Sequence, residues 1–220
     1  MDDAYILSHV DHTLLAAYAS WPEVCRLCDE SIRYKTASVC VPPHYVKQIR
    51  DAYPQLCICT VIGFPLGYDS MTTKTVATRM AVAEGADELD MVVNIADVKN
   101  GRFNAVKTEI SVIKQVAESK LLKVIIETCY LEEEEKIALC EIVTEAGADF
   151  IKTSTGFGTA GATFADVALF KAHIGPQVKI KAAGGIRTRE DMVAFLNAGC
   201  SRLGTSSAIK ILTGGAAQGY

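Results

Sequence analysis

The sequence predicts a single (β/α)8 (TIM) barrel, one domain over residues 1–220, and three observations carry that reading. Eight short, β-branched apolar runs alternate with longer segments of helical period. "EGADELDMV", "AGADFIKTS" and "AGCSRLGTS" repeat one pattern, a helix end, a glycine and then a strand, with Gly85, Gly147 and Gly199 as left-handed helix C-caps. The doubly wound alternative would show a Gly-rich dinucleotide fingerprint after its first strand, where this chain has "TLLAAYAS".

In order, the first strand is "LSHVDH" (7–12), followed by a helix from near Trp21. Ser20 is its N-cap, with Glu23 three residues on and Pro22 in the first turn. "TASVCV" (36–41) leads to a helix near Pro43, "CICTVIGF" (57–64) to one near Thr72, and "ELDMVVN" (88–94) to one near Phe103. After "LKVIIET" (122–128), the acids of residues 132–135 suit the macrodipole of a solvated helix start. "DFIKTS" (149–154) precedes a helix near Thr163. "VKIKAAG" (178–184) precedes one near Arg189, capped by Thr188 with Asp191, and "SRLGTS" (201–206) precedes one near Ser207.

With 220 residues, half of them hydrophobic, the chain can build one substantial core. A net charge of −4 without a basic block argues against nucleic acid as a partner. The acidic opening "MDDAYIL" lacks a leader pattern, and no apolar run is long enough for a membrane span, so a cytoplasmic location is expected. The eight cysteines read as buried free thiols, because Cys25 and Cys28 have no second CxxC or histidine pair to complete a metal site.

Charged residues inside three strands point to chemistry. In a barrel, alternate strand residues face inward, and those near the strand C-termini face the active site. Asp90 shares a face with Val92 and Asn94, Lys152 with Phe150 and Ser154, and Lys181 with Lys179. Glu88 and Lys179 have the same parity but lie nearer the strand starts, and are expected as solvated charges of the opposite rim. Strands six and seven are neighbours, so the two ammonium groups would sit roughly 6 Å apart and repel by on the order of 2.8 kcal/mol. That repulsion, with desolvation, is expected to lower the pKa of one of the pair. A neutral lysine forms a Schiff base with a carbonyl, and Asp90 supplies counter-charge and a proton acceptor. A buried ion pair without chemistry is the alternative for one strand lysine; two lysines and an aspartate at one end of a barrel favour catalysis.

A phosphate site is expected beside them. "AAGGIR" (182–187) follows strand seven and "LGTSSAI" (203–209) strand eight, the usual barrel phosphate loops. Gly184 and Gly185 let backbone N–H groups approach an anion, and Ser206 and Ser207 add hydroxyls at a helix start. Gly156 to Gly158 close the third side, while Arg187 can face either way.

"FIKTSTGF", "KIKAAGGIR", "GADELDMVVN", "VDHTLL" and "KVIIET" together resemble the class I deoxyribose-phosphate aldolases over nearly the whole chain. The resemblance implies reversible cleavage of 2-deoxy-D-ribose 5-phosphate to D-glyceraldehyde 3-phosphate and acetaldehyde, with no metal and no cofactor beyond the lysine imine. It makes Lys152 the Schiff-base lysine, Lys181 its perturbing partner and Asp90 the acid/base. Asp11 and Thr13 become assisting residues, Thr155 a ligand to a substrate hydroxyl, and Gly156, Gly184, Gly185, Gly204, Ser206 and Ser207 the phosphate cradle. It further implies a homodimer and a short, mobile C-terminal tail whose Tyr220 assists proton transfer. Phe157 stands where some members carry a lysine. A transaldolase-like or isomerase enzyme on the same barrel, or a non-catalytic sugar-phosphate binder, are the rival readings. His12 is expected to be structural, and Cys40, at the C-terminal end of strand two, either packs there or faces the mouth, where an unsaturated aldehyde made from acetaldehyde could alkylate it.

Overall fold

The computed structural model describes residues 1–215, and within them eight parallel strands close into a barrel in sequence order. They are β1 (Val10–Thr13), β2 (Ser38–Val41), β3 (Ile58–Ile62), β4 (Glu88–Val92), β5 (Leu121–Ile125), β6 (Phe150–Lys152), β7 (Lys179–Ala183) and β8 (Arg202–Thr205). β8 pairs back onto β1, with Asp11 opposite Gly204.

Helices cover the outside: α1 (Asp3–Leu7), α2 (Trp21–Tyr34), α3 (Val46–Ala52), α4 (Met71–Ala83), α5 (Ile95–Lys99), α6 (Phe103–Val116), α7 (Glu133–Glu145), α8 (Phe164–His173), α9 (Arg189–Ala198) and α10 (Ala208–Leu212). The expected caps form. Glu23 Oε2 accepts from the Ser20 N–H at 2.8 Å, and Asp191 Oδ2 from the Thr188 N–H at 2.9 Å. Gly85, Gly147 and Gly199 take positive φ at 104°, 74° and 116°, as the helix-end repeat requires. Two short helices depart from the sequence reading. α1 holds Leu7, read as strand, because Asp2 caps it by accepting from the Tyr5 N–H at 2.7 Å and Ile6 and Leu7 bury their side chains. α5 is capped by Asn94, which ends β4 earlier than the strand pattern suggested.

The apolar core lies between strands and helices. Val39, Ile58, Leu89, Val124, Ile151, Ile180 and Leu203 point outward into it, one from each of seven strands. The alternate residues point into the barrel. That interior carries charges where branched apolar side chains usually fill the layers.

Candidate active site

Asp90 is the hub of the barrel interior. Its Oδ2 accepts from Lys152 Nζ and from Lys181 Nζ, each at 2.7 Å. Its Oδ1 accepts from Lys123 Nζ at 2.8 Å and from the Cys59 thiol at 3.2 Å. Burial alone would raise this carboxyl, but Lys123, Lys152 and Lys181 overcome that penalty and hold it well below the usual carboxylate range. β4, β6 and β7 thus bring together the three residues that alternation selected.

Asp11 forms a second hub beside it. Its Oδ1 accepts from the Ser38 hydroxyl at 2.7 Å and from Arg202, and its Oδ2 accepts a short bond from Lys181. Burial opposes its charge, yet Lys181, Lys123 and Arg202 drive its pKa far down. Thr13 sits two residues on, its hydroxyl donating to the Asp11 carbonyl at 2.7 Å.

These carboxylates set the direction for Lys181. Burial acts to lower its pKa, but Asp11 and Asp90 outweigh both burial and lysine repulsion, and the net direction is upward. Lys181 has two carboxylate partners and Lys123 three, whereas Lys152 has Asp90 alone among the described residues. Lys152 is also the one of the three that borders the open cavity.

One expectation is corrected at Glu88. It is 3% exposed, not solvated, and pairs with Lys123 at 2.6 Å and Arg202 at 2.9 Å. Lys179 is exposed, as expected, with its ammonium over the Phe150 ring. The sequence reading missed Lys123 and Arg202. Lys123 has the same parity in β5 as the inward Ile125, so the alternation rule applied to "LKVIIET" finds it. Arg202 is the register partner of Lys181.

Above the charges, a cavity of about 140 Å³ opens at the strand C-termini. Thr13, Thr155, Gly156, Gly184, Gly185, Gly204, Ser206 and Ser207 all line it, together with Lys152 and Arg187. Gly184 and Gly185 have φ near 78° and 75°, left-handed values that turn the backbone without a side chain in the way. Gly204 has a further use. A Cβ there would stand 3.1 Å from Lys181 Cε and 3.0 Å from Ala183 Cβ, so its bareness gives the lysine its path. A larger groove of about 910 Å³ runs along α2 and α10 and shares Thr13, Ser206 and Ser207, but Lys123, Lys152 and Lys181 do not line it.

Thr155 is tied down by a residue outside the predicted set. Its hydroxyl makes a short bond to Glu127 Oε2, and its N–H donates to the same carboxylate at 3.2 Å. Burial pushes the Glu127 carboxyl up, against the opposing pull of Thr155 and Lys152. His12 turns the other way from Asp11, with Nε2 2.8 Å from Glu30 Oε2 on α2, as a structural histidine should. Tyr220 lies outside the described residues.

Known proteins share this frame. A Clostridium botulinum (strain Alaska E43 / Type E3) protein named deoxyribose-phosphate aldolase is 59% identical over 221 residues, spanning all of both chains. One of that name from Clostridioides difficile (strain 630) is 54% identical over 209 residues, covering 94% of this chain and 95% of its own. Among solved structures, a tetrameric deoxyribose phosphate aldolase from Aeropyrum pernix superposes with a TM-score of 0.90 at 32% identity, over 96% of this chain and 91% of its own. An aldolase called QR15 does so at 0.91 and 39%, over 94% of each. The family model for DeoC/LacD aldolases matches residues 6–217, and with relatives this similar over their full length the chain belongs to that family.

Proposed function

We propose that the protein cleaves 2-deoxy-D-ribose 5-phosphate reversibly to D-glyceraldehyde 3-phosphate and acetaldehyde, with Lys152 as the Schiff-base nucleophile. The observation that carries this is the Lys152–Asp90–Lys181 contact, two ammonium groups on one carboxylate oxygen beneath a glycine-lined cavity.

Neutral Lys152 attacks the C1 aldehyde of the open-chain sugar, and loss of water leaves an iminium. Asp90, relayed through Lys181, takes the C3 hydroxyl proton. The C2–C3 bond breaks, its electron pair moves onto the iminium as an enamine, and glyceraldehyde 3-phosphate departs. Protonation at C2 and hydrolysis of the imine release acetaldehyde and restore the lysine. Lys152 is the lysine placed to attack, because it has the fewest carboxylate partners and borders the cavity. Lys181 stays cationic between Asp11 and Asp90 and passes protons at the reacting oxygen.

The phosphate is placed against Gly156, Gly184, Gly185, Ser206 and Ser207, with Gly204 beside them and Arg187 at the rim. Thr155, fixed by Glu127, is aimed at a sugar hydroxyl. The imine is the electron sink, so the chemistry asks for no cofactor and no metal. Cys40, Cys59 and Asp90 do lie close enough to share an ion, as do Asp11, Cys59 and Glu88. Lys123 sits within 3.3 Å of Cys59 and 2.8 Å of Asp90, and that positive field disfavours a dication.

No helix among the described residues is long and apolar enough to cross a membrane, and eight unpaired thiols suit a reducing cytoplasm. Exposed Val76 and Met80, one turn apart on α4, support the homodimer. A solution mass equal to one 23.7 kDa chain would remove that part of the reading.

The test is borohydride trapping. The protein is incubated with 2-deoxyribose 5-phosphate, reduced, digested and mapped by mass spectrometry. A stable adduct on Lys152 is expected. An adduct on Lys181 would exchange the two lysines' roles, and unchanged substrate without an adduct would sink the aldolase assignment.

A further inference from the structure

Two thiols sit beside the lysine cluster and take no part in the proposed cleavage. Cys40 of β2 and Cys59 of β3 are direct register partners on adjacent parallel strands. Both are buried, at 1% and 0% exposure. Their sulfurs and an Asp90 carboxylate oxygen all lie within 4.8 Å of one another. They pack with Leu15, Val61 and Phe64 in a small cluster separate from the main core. Leu15 also lines the cavity, so the cluster that holds the thiols borders the opening where substrate enters.

We propose that Cys40 and Cys59 form an oxidisable dithiol, closed to a disulfide by a small peroxide entering through the barrel mouth, and that closure reversibly shuts off the lysine centre. This goes beyond the aldolase reading, since the bond forms whatever carbonyl the enzyme handles.

The two sulfurs are not equivalent. Cys59 has three acceptors within reach of its S–H, Asp90 Oδ1 at 3.2 Å, the carbonyl of its neighbour Thr60 at 3.8 Å and the Cys40 sulfur. Its hydrogen bond to Cys40, aided by Lys181 and Lys152 against the opposing effects of burial and of Asp90, favours the Cys40 thiolate. The other core thiols have no such neighbours; burial pushes Cys140 and Cys200 up to about 12. Cys40 is therefore the attacking sulfur and Cys59 the resolving one. The Cys40 thiolate attacks one oxygen of hydrogen peroxide, the S–O bond forms, the O–O bond breaks and hydroxide leaves. Cys59 then gives its proton towards Asp90 while Lys123, 3.3 Å away, steadies the developing thiolate. Its sulfur attacks the Cys40 sulfur, the S–O bond breaks, and the departing oxygen leaves as water. Two thiols and one peroxide become one disulfide and two waters.

Geometry makes this bond reversible. Paired strand positions stand about 4.8 Å apart, inside the Cα range for a disulfide. Their Cβ atoms point in parallel, so they start about 1 Å beyond the usual Cβ separation of ~3.8 Å. Closing the bond must draw β2 and β3 together, and a disulfide strained in this way is readily reduced. It also removes the Cys59 S–H from Asp90 and disturbs the ring of donors that positions that carboxylate.

The experiment exposes the substrate-free protein to hydrogen peroxide, blocks the remaining thiols by alkylation, and maps the non-reduced digest by mass spectrometry. A peptide linking Cys40 to Cys59 is expected, forming in step with at least a tenfold loss of turnover that dithiothreitol reverses. Cys59→Ala, compared with its own untreated activity, should lose the dithiothreitol-reversible component. The linkage is read without reference to any catalysed reaction, so it stands or falls apart from the aldolase assignment. The proposal is overturned if both thiols still alkylate after the protein is inactivated, if Cys40 goes straight to irreversible sulfinic acid, or if Cys59→Ala shows the same reversible loss.

Discussion

Replacing Asp90 by asparagine separates making the imine from breaking the carbon–carbon bond. Lys152 and Lys181 each lie 2.7 Å from Asp90 Oδ2. Two donors meeting at one oxygen at a usual angle of ~110° are then about 4.4 Å apart. At an effective dielectric of ~20 their repulsion is about 4 kcal/mol, and Asp90→Asn leaves it without the carboxylate that now offsets it. Lys152 loses its one carboxylate partner, while Lys181 keeps Asp11. Borohydride trapping at neutral pH should therefore be as fast in Asp90→Asn as in the parent, or faster. Turnover should fall by about 10²–10⁴, the usual contribution of a general base, because nothing accepts the C3 hydroxyl proton. The asparagine keeps the shape of the site, and circular dichroism with a thermal melt establishes that the barrel is intact before rates are compared. If trapping and turnover fall by the same factor, Asp90 serves to hold the lysines and not to move the proton. If turnover is unchanged, the mechanism above is wrong at its centre.

Further expectations concern the groups around that centre. Arg202→Met leaves Glu88 and Asp11 short of a cation in a dry interior, a loss of about 3–5 kcal/mol; a urea midpoint equal to that of the parent would contradict it. Gly204→Ala sets a methyl against Lys181 Cε, so it should cost ~1–3 kcal/mol and slow turnover, with the displaced lysine visible in a structure of the variant. Acid stability carries a defined sign. Asp11 and Asp90 have folded-state pKa values below their unfolded ones, so their contribution is complete above pH ~4 and is lost as pH falls through the folded values. Chemical denaturation below pH 4 should show each carboxylate adding about 1.4 kcal/mol per pH unit to the slope. Asp11→Asn should flatten that slope, and an unchanged slope would mean that Asp11 is not ionised in the native barrel.

The parts of this site that the sequence discloses are those that follow from a period of two along one strand. Asp90, Lys152 and Lys181 interrupt apolar runs, and alternation alone sends them inward to meet. The glycine loops are legible for a similar reason, since each follows a strand and must turn. What stays hidden depends on the stagger between strands. Glu88 lies two residues before Asp90 and reads as a rim charge, yet the tilt of the strands brings Lys123 and Arg202 to its level, with Glu88 and Lys123 buried and Arg202 half-buried. No single strand records that level. The second partner of Lys181 is hidden for the same reason: Asp11 comes from β1, at the far end of the sequence, and only closure of β8 onto β1 places it against β7. Two lysines considered alone repel and one must discharge. The same lysines inside a closed ring of carboxylates divide the work. On the proposed mechanism the one held by two acids stays charged, and the one facing the cavity reacts. The asymmetry that makes a nucleophile therefore comes from barrel closure, and breaking the Asp11–Lys181 contact should blur it. In Asp11→Asn, borohydride is expected to trap substrate on both lysines; an adduct confined to Lys152 would show that access to the cavity, and not charge, selects the nucleophile.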